Sequence, residues 1–140
     1  MRKGFLVFVV AVLASFAVHA QSPGAGDAAA IRQTIERQID AFRADDGAAA
    51  FAFADVSIQS MFGGPERFMA MVRAGYNMIY RPRSYVFGPA KDAGELVEQI
   101  VEFDGQDGSS GVALYHMARQ SDGTWRIAGV QILPAKRPGV

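Results

Sequence analysis

The segment Tyr115 to Leu133, YHMARQSDGTWRIAGVQIL, constrains the fold more than any other. Two alternating runs flank Ser121-Asp122-Gly123-Thr124. Gly123 can take a positive φ without a Cβ clash, so Asp-Gly at this place is the chemistry of a tight hairpin. Before the turn, Val112, Leu114 and His116 share one face, and Ala113, Tyr115 and Met117 share the other. After it, Trp125, Ile127 and Gly129 alternate with Arg126, Ala128 and Val130. Neither face is wholly polar, which predicts a sheet covered on both sides. Helices are the cover expected for one face and a partner subunit for the other.

The chain has 140 residues, enough for one domain. Its first 20 residues read as a secretory signal peptide. Arg2 and Lys3 form the charged start, Phe5 to Val18 is an apolar run too short for a comfortable membrane span, and Val18-His19-Ala20 is a small-x-small cleavage site before Gln21. Cleavage at Ala20-Gln21 predicts a periplasmic or secreted protein with no stable membrane span. Removing Arg2 and Lys3 leaves 12 basic side chains against 14 acidic ones, so no basic excess points to nucleic acid. The chain has no cysteine, which excludes thiol catalysis and Cys-based metal sites. After cleavage His116 is the one histidine left.

Gln21 to Gly26 reads as a linker, followed by a single domain over 27–133 and a tail over 134–140. Asp27 is the expected N-cap of a first helix reaching about Ala44. Ile31, Ile35, Ile39 and Phe42 fall on one face of it. Asp45-Asp46-Gly47 breaks the pattern and caps a short second helix, Ala48 to Ala54. There Phe51 and Phe53 point roughly 200° apart, which predicts burial on both sides. Ser57 to Phe62 can add one more turn. Pro65 suits the start of a third helix, Phe68 and Val72 mark its buried face, and Gly75 suits its C-cap. Beyond it the period looks strand-like. Tyr76 to Tyr80 is a candidate short strand, and Tyr85 to Phe87 a second one interrupted by Gly88-Pro89. Asp92-Ala93-Gly94 reads as a turn. Leu96 to Phe103 is a strand with Val97, Gln99, Val101 and Phe103 on one side, and Asp104 to Gly111 is a hairpin loop. Helices first and antiparallel strands afterwards predict an α+β fold, with the helices on one face of a curved sheet.

Four stretches carry a resemblance to a known family. They are IERQIDAFRADDGAAAFAFA (35–54), FMAMVRAGYNMIYRP (68–82), the strand before Asp104, and YHMARQSDGTWRIAGV (115–130). Together they resemble the uncharacterised bacterial domain-of-unknown-function family 4864. The layout, and the less specific ending Asp122 to Ile127, resemble the wider nuclear-transport-factor-2-like (cystatin-like) superfamily. Asn77-Met78-Ile79 departs from the proline usual after Gly75-Tyr76 in that family. The resemblance implies a cone-shaped sheet filled by helices. It implies no activity, because the superfamily holds isomerases, dehydratases, epoxide hydrolases, ligand carriers and interaction modules.

Several residue groups can carry chemistry. His116, Asp40, Asp45, Tyr76 and Tyr80 can form an acid/base cavity if the fold gathers them, and otherwise read as a half-buried strand histidine and helix-capping carboxylates. Arg73 and Arg81, near Pro82 and Arg83, can hold an anion in bidentate forks, or lie on an exposed connector. Gln99 and Trp125, on the strands that would wall a pocket, are further ligand-binding candidates. Met69 and Met71 point roughly 200° apart on a helix, which argues for core methionines over a copper site. Asp104 to Gly108 lacks the alternating ligands and terminal Glu of a calcium loop, and the chain has no Gly-rich phosphate loop and no Gly-x-Ser-x-Gly nucleophile elbow; no metal and no cofactor is expected.

The reading these observations favour is an exported, non-catalytic small-ligand-binding or interaction module. Its ligand would be apolar or anionic, and it would be a homodimer through an outer sheet face formed by Tyr115, Met117, Ile100 and Leu96. The alternative is a small-molecule isomerase or hydratase with His116 or an Asp as base and Tyr76 or Tyr80 as donor. A carrier for an apolar ligand needs a cavity larger than Trp125, Phe51 and Phe53 can fill.

Overall fold

The computed structural model describes residues 21–134. The signal-peptide reading of residues 1–20 and most of the expected tail lie outside them. The described residues form five helices and then four strands. These are α1 (Ala25–Arg43), α2 (Gly47–Ala52), α3 (Val56–Phe62), α4 (Pro65–Gly75), α5 (Asn77–Tyr80), β1 (Pro82–Ala93), β2 (Leu96–Gly105), β3 (Ser110–Arg119) and β4 (Trp125–Pro134). The strands make one open antiparallel sheet in chain order. This is the α+β arrangement expected from the order of periodicities.

The helical layer follows its apolar spacing. Ile31, Ile35, Ile39 and Phe42 of α1 are all buried. They meet Phe68, Met69 and Val72 of α4 and the inward row of the sheet, Val97, Val101, Phe103, Ala113, Tyr115, Met117 and Ile127. Burying each large aliphatic side chain contributes about 1.5–3 kcal/mol, so this row and the α1 stripe supply most of the cohesion. Asp46 caps α2 by accepting from the Ala49 N–H at 3.1 Å, as the sequence suggests. Asp55 caps α3, and Gly63 ends it in the left-handed region at φ 74°.

Five local expectations are corrected. The N-cap of α1 is Gly24, and Asp27 sits in the first turn. There its carboxylate suits the positive helix end and also pairs with Arg119 and Trp125 Nε1. Gly75 belongs to α4, and the cap is Tyr76 at φ −132°. Tyr76 to Tyr80 is no strand: Asn77–Tyr80 is a single helical turn, because Tyr76 and Ile79 turn the same way into the core layer. Gly88-Pro89 does not interrupt β1. It forms a bulge between Phe87 and Ala90, a place where an edge strand tolerates proline. The strand then runs through Asp92 and Ala93 to a turn at Gly94, φ 70°.

The 121–124 hairpin forms as expected, with Gly123 at φ 85°. The alternation beyond it does not persist. A bulge leaves Ala128 as an extra residue, since His116 faces Gly129 while Met117 faces Ile127. Gly129 therefore lies on the outer face and Val130 packs on the core side. The strand faces also correct the proposed outer patch. Tyr115 and Met117 are fully buried on the inner face, whereas Leu96 and Ile100 lie on the outer one. The physical reason is the α1 stripe, which covers the face carrying Ala113, Tyr115 and Met117.

Two buried polar atoms have no hydrogen-bond partner among the described residues: Gln99 Oε1 and Tyr115 Oη. Their residues are direct cross-strand neighbours. An unmet buried group costs about 1–3 kcal/mol, so Tyr115→Phe should leave stability unchanged or raise it by about 1 kcal/mol. Ile35→Ala should cost roughly 2–5 kcal/mol. Chemical denaturation of the two variants checks both directions.

Candidate functional site

Ile127 fixes where the helical layer meets the sheet edge. Its N–H donates to Phe53 O at 2.9 Å and its carbonyl accepts from Asp55 N at 2.8 Å. This short parallel bridge docks the α2–α3 connection on β4. Asp55 then caps α3 through the Ser57 N–H at 3.2 Å and accepts from Gln120 Nε2 at 2.9 Å. The cap and the bridge set α3 above the bulge at Ala128.

A cavity of about 430 Å³ lies between α1, α3, α4, the turn into α5 and β4. Its volume is in the range of small-molecule sites. Phe42, Phe62 and Phe68 form an aromatic wall, with Phe68 centred 6.1 Å from Phe42 and 5.9 Å from Phe62. Ile58, Met71, Val72 and Ile79 add aliphatic surface, and Met61, 74 % exposed, stands at the rim. A regular strand would offer alternate residues to this space. The bulge lets four consecutive residues, Ile127 to Val130, line it.

Two side chains bring polar atoms. Gln38 is only 3 % exposed. Its Nε2 donates to Ala50 O at 3.1 Å, which fixes the amide orientation because a carbonyl can only accept. Its Oε1 accepts no hydrogen bond among the described residues. Tyr76 donates its O–H to Val130 O at 3.4 Å and ties the α4–α5 junction to β4. Tyr76 is the one ionisable residue of the lining among the described residues.

The sequence candidates divide sharply. Tyr76 alone among them lines the cavity. His116 is on the outer face, across from Glu98 and Gly129. Asp40 is exposed on α1. Gln99 is buried under β1, its Nε2 donating to Gly88 O at 2.9 Å and Ile100 O at 2.8 Å. Trp125 packs at the start of α1 beneath the Arg119 guanidinium, 4.9 Å from its ring centre. The expected acid/base constellation is therefore not assembled, because strand parity sends His116 to the far side of the sheet.

Tyr80, Arg73 and Arg81 do come together, around Asp45 rather than around a ligand. Arg81 Nη2 lies 2.6 Å from Asp45 Oδ2, Arg73 Nη2 lies 3.6 Å from Oδ1, and the Tyr80 O–H also donates to this carboxylate. The Tyr80 hydroxyl first, and the two arginines after it, hold the Asp45 carboxyl below the usual aspartate range. The anion that these arginines would bind is thus one of the chain's own. All three charged side chains are about half exposed, so the cluster works as a surface clasp between the end of α1 and the α4–α5 region.

Gln38, the most informative lining residue, was missed by the sequence reading. A signal was present: Ile31, Ile35, Gln38 and Phe42 follow a 4-3-4 spacing, so a polar amide occupies a core position of the α1 stripe. Among the described residues no cluster of three or more potential metal ligands occurs, and no helix is long and apolar enough to cross a membrane.

A helical layer on one face of an open antiparallel sheet, with a partly open apolar cavity at one edge, makes this an α+β domain with a pocket between its layers. Residues 25–140 match the model of a domain of unknown function, DUF4864, and the chain belongs to that family. This agrees with the resemblance carried by the four stretches above. No curated protein matches the chain.

Hydrogen bonds from Gln120 and Ser57 hold the Asp55 carboxyl below its ordinary value. Its folded pKa is therefore lower than its unfolded one of about 3.9. The stabilisation is complete above that unfolded value and is lost as pH falls through the folded one. Asp55→Asn should lower stability at neutral pH and flatten its decline on acidification. Urea unfolding of both proteins across the acid range measures this.

Proposed function

We propose that this is an exported, non-catalytic binding module that holds a small apolar molecule in the cavity beneath α3 and α4. The carrying observation is a lining of mostly aromatic and aliphatic side chains that, among the described residues, includes no Asp, Glu, Lys, Arg or His. An apolar ligand gains from such walls, whereas an ion would be desolvated there without a counter-charge. The anionic alternative lacks a cation in the cavity, since Arg73 and Arg81 face Asp45. Acid/base catalysis has, among the described lining residues, Tyr76 alone to draw on. The N-terminal Arg2-Lys3, the apolar run and the Val18-His19-Ala20 site support export. Helices preceding an antiparallel sheet, with a pocket between the layers, support a place in the nuclear-transport-factor-2-like superfamily.

Native mass spectrometry of the mature protein tests both parts. The expected polypeptide begins at Gln21 and carries a small molecule that leaves on denaturation. Val130→Trp, which fills the cavity, should abolish that extra mass. An empty protein that also fails to take up small apolar molecules would remove the binding reading.

A second copy packed on the outer sheet face fits the same reading. Leu96, Ile100, Val112 and Leu114 are half-buried there, and Val86 is 64 % exposed. Ile100 pairs with Leu114 and Glu98 with His116 across β2 and β3. A two-fold axis along the strands between β2 and β3 sets Ile100 over the second copy's Leu114 and Glu98 over its His116. Four strands of this length offer roughly 600 Å² per copy, the lower end of stable interfaces. Ile100→Glu should convert a sedimenting dimer to a folded monomer, and a monomeric unsubstituted protein at micromolar concentration would end the dimer reading.

A further inference from the structure

We infer that the cavity selects a neutral ligand carrying a hydrogen-bond donor, and that Gln38 is the residue that reads it. This rests on the cavity reading above and specifies its ligand class. The Gln38 amide cannot rotate to offer its N–H₂ group inward, because Oε1 would then oppose the Ala50 carbonyl, acceptor against acceptor. With one N–H on the Ala50 carbonyl, Gln38 keeps Oε1 as an acceptor without a donor among the described residues, beside the second N–H of the same amide. Tyr76 adds to the same polarity: its O–H is directed to Val130 O, which leaves oxygen lone pairs as its free side. Both polar side chains of an otherwise apolar lining are thus short of a donor. A hydroxyl or N–H on the ligand meets that need. An ether or ester oxygen leaves Gln38 Oε1 unpaired, which is the situation in which a buried polar site discriminates most strongly. With about 30 Å³ per water-sized group, the volume suits a molecule on the order of ten to fifteen non-hydrogen atoms.

Naphthalene derivatives match this size and fluoresce, so their binding can be titrated directly. The unsubstituted protein should bind 2-naphthol about five- to ten-fold more tightly than 2-methoxynaphthalene, the span of one hydrogen bond. It should bind 2-naphthoate more weakly than either. In Gln38→Met, which keeps the length of the side chain and removes the acceptor, the preference for naphthol should fall below about two-fold. Equal binding of the naphthol and its methyl ether by the unsubstituted protein overturns the inference without any variant, while leaving the cavity reading intact. So does a preference that survives Gln38→Met. If no naphthalene binds at all, or Val130→Trp binds them undiminished, the cavity reading falls and this inference falls with it.

Discussion

The two backbone hydrogen bonds between Ile127 and the Phe53–Asp55 segment are the contact on which the rest of the molecule depends. They cover the first part of the β4 edge, which would otherwise present unpaired backbone groups. They also fix the start of α3, since Asp55 both donates its N–H to Ile127 and caps the helix. The next residue of β4, Ala128, is the bulge. Docked on one side and bulged on the other, this corner holds the helical layer a short distance off the sheet. The cavity is the space that remains.

Charge and apolar surface are kept apart in this fold. The Asp45 clasp joins the ends of α1, α4 and α5 at the surface, where Arg73 and Arg81 also lie over the Tyr80 ring at 5.5 and 4.9 Å. Exposed ion pairs of this kind contribute little each, and the network's geometric role is to hold helix ends whose other faces line the cavity. Inside, the same helices present Phe42, Val72, Ile79 and one amide. The wall facing the cavity is therefore largely apolar, with the Gln38 amide and the Tyr76 hydroxyl as its polar side chains among the described residues.

How much of this was legible varies with the length of the pattern. The α1 stripe, the β2 row Val97-Gln99-Val101-Phe103 and the 121–124 hairpin could be read residue by residue, because each repeats long enough for its period to be unambiguous. Tyr76 to Tyr80 was misread because a five-residue run cannot separate a period of 2 from one of 3.6. The face carried by His116 was undecided for a different reason. Both faces of β3 are apolar, and only the position of α1 determines which is inside. Of the candidate site, Tyr76 was legible and Gln38 was present in the spacing but unread.

The sequence by itself determined that helices precede strands, the α+β class, the family and the absence of thiol chemistry, since these follow from local periodicity, turn residues and composition. The tertiary structure alone decided that Arg73 and Arg81 close on Asp45, that His116 faces away from the helices, and that an extra residue at Ala128 brings four neighbours to one wall. Each of these rests on contacts between residues distant in the chain or on a one-residue shift in strand parity. Neither leaves a signature in the local spacing of side chains.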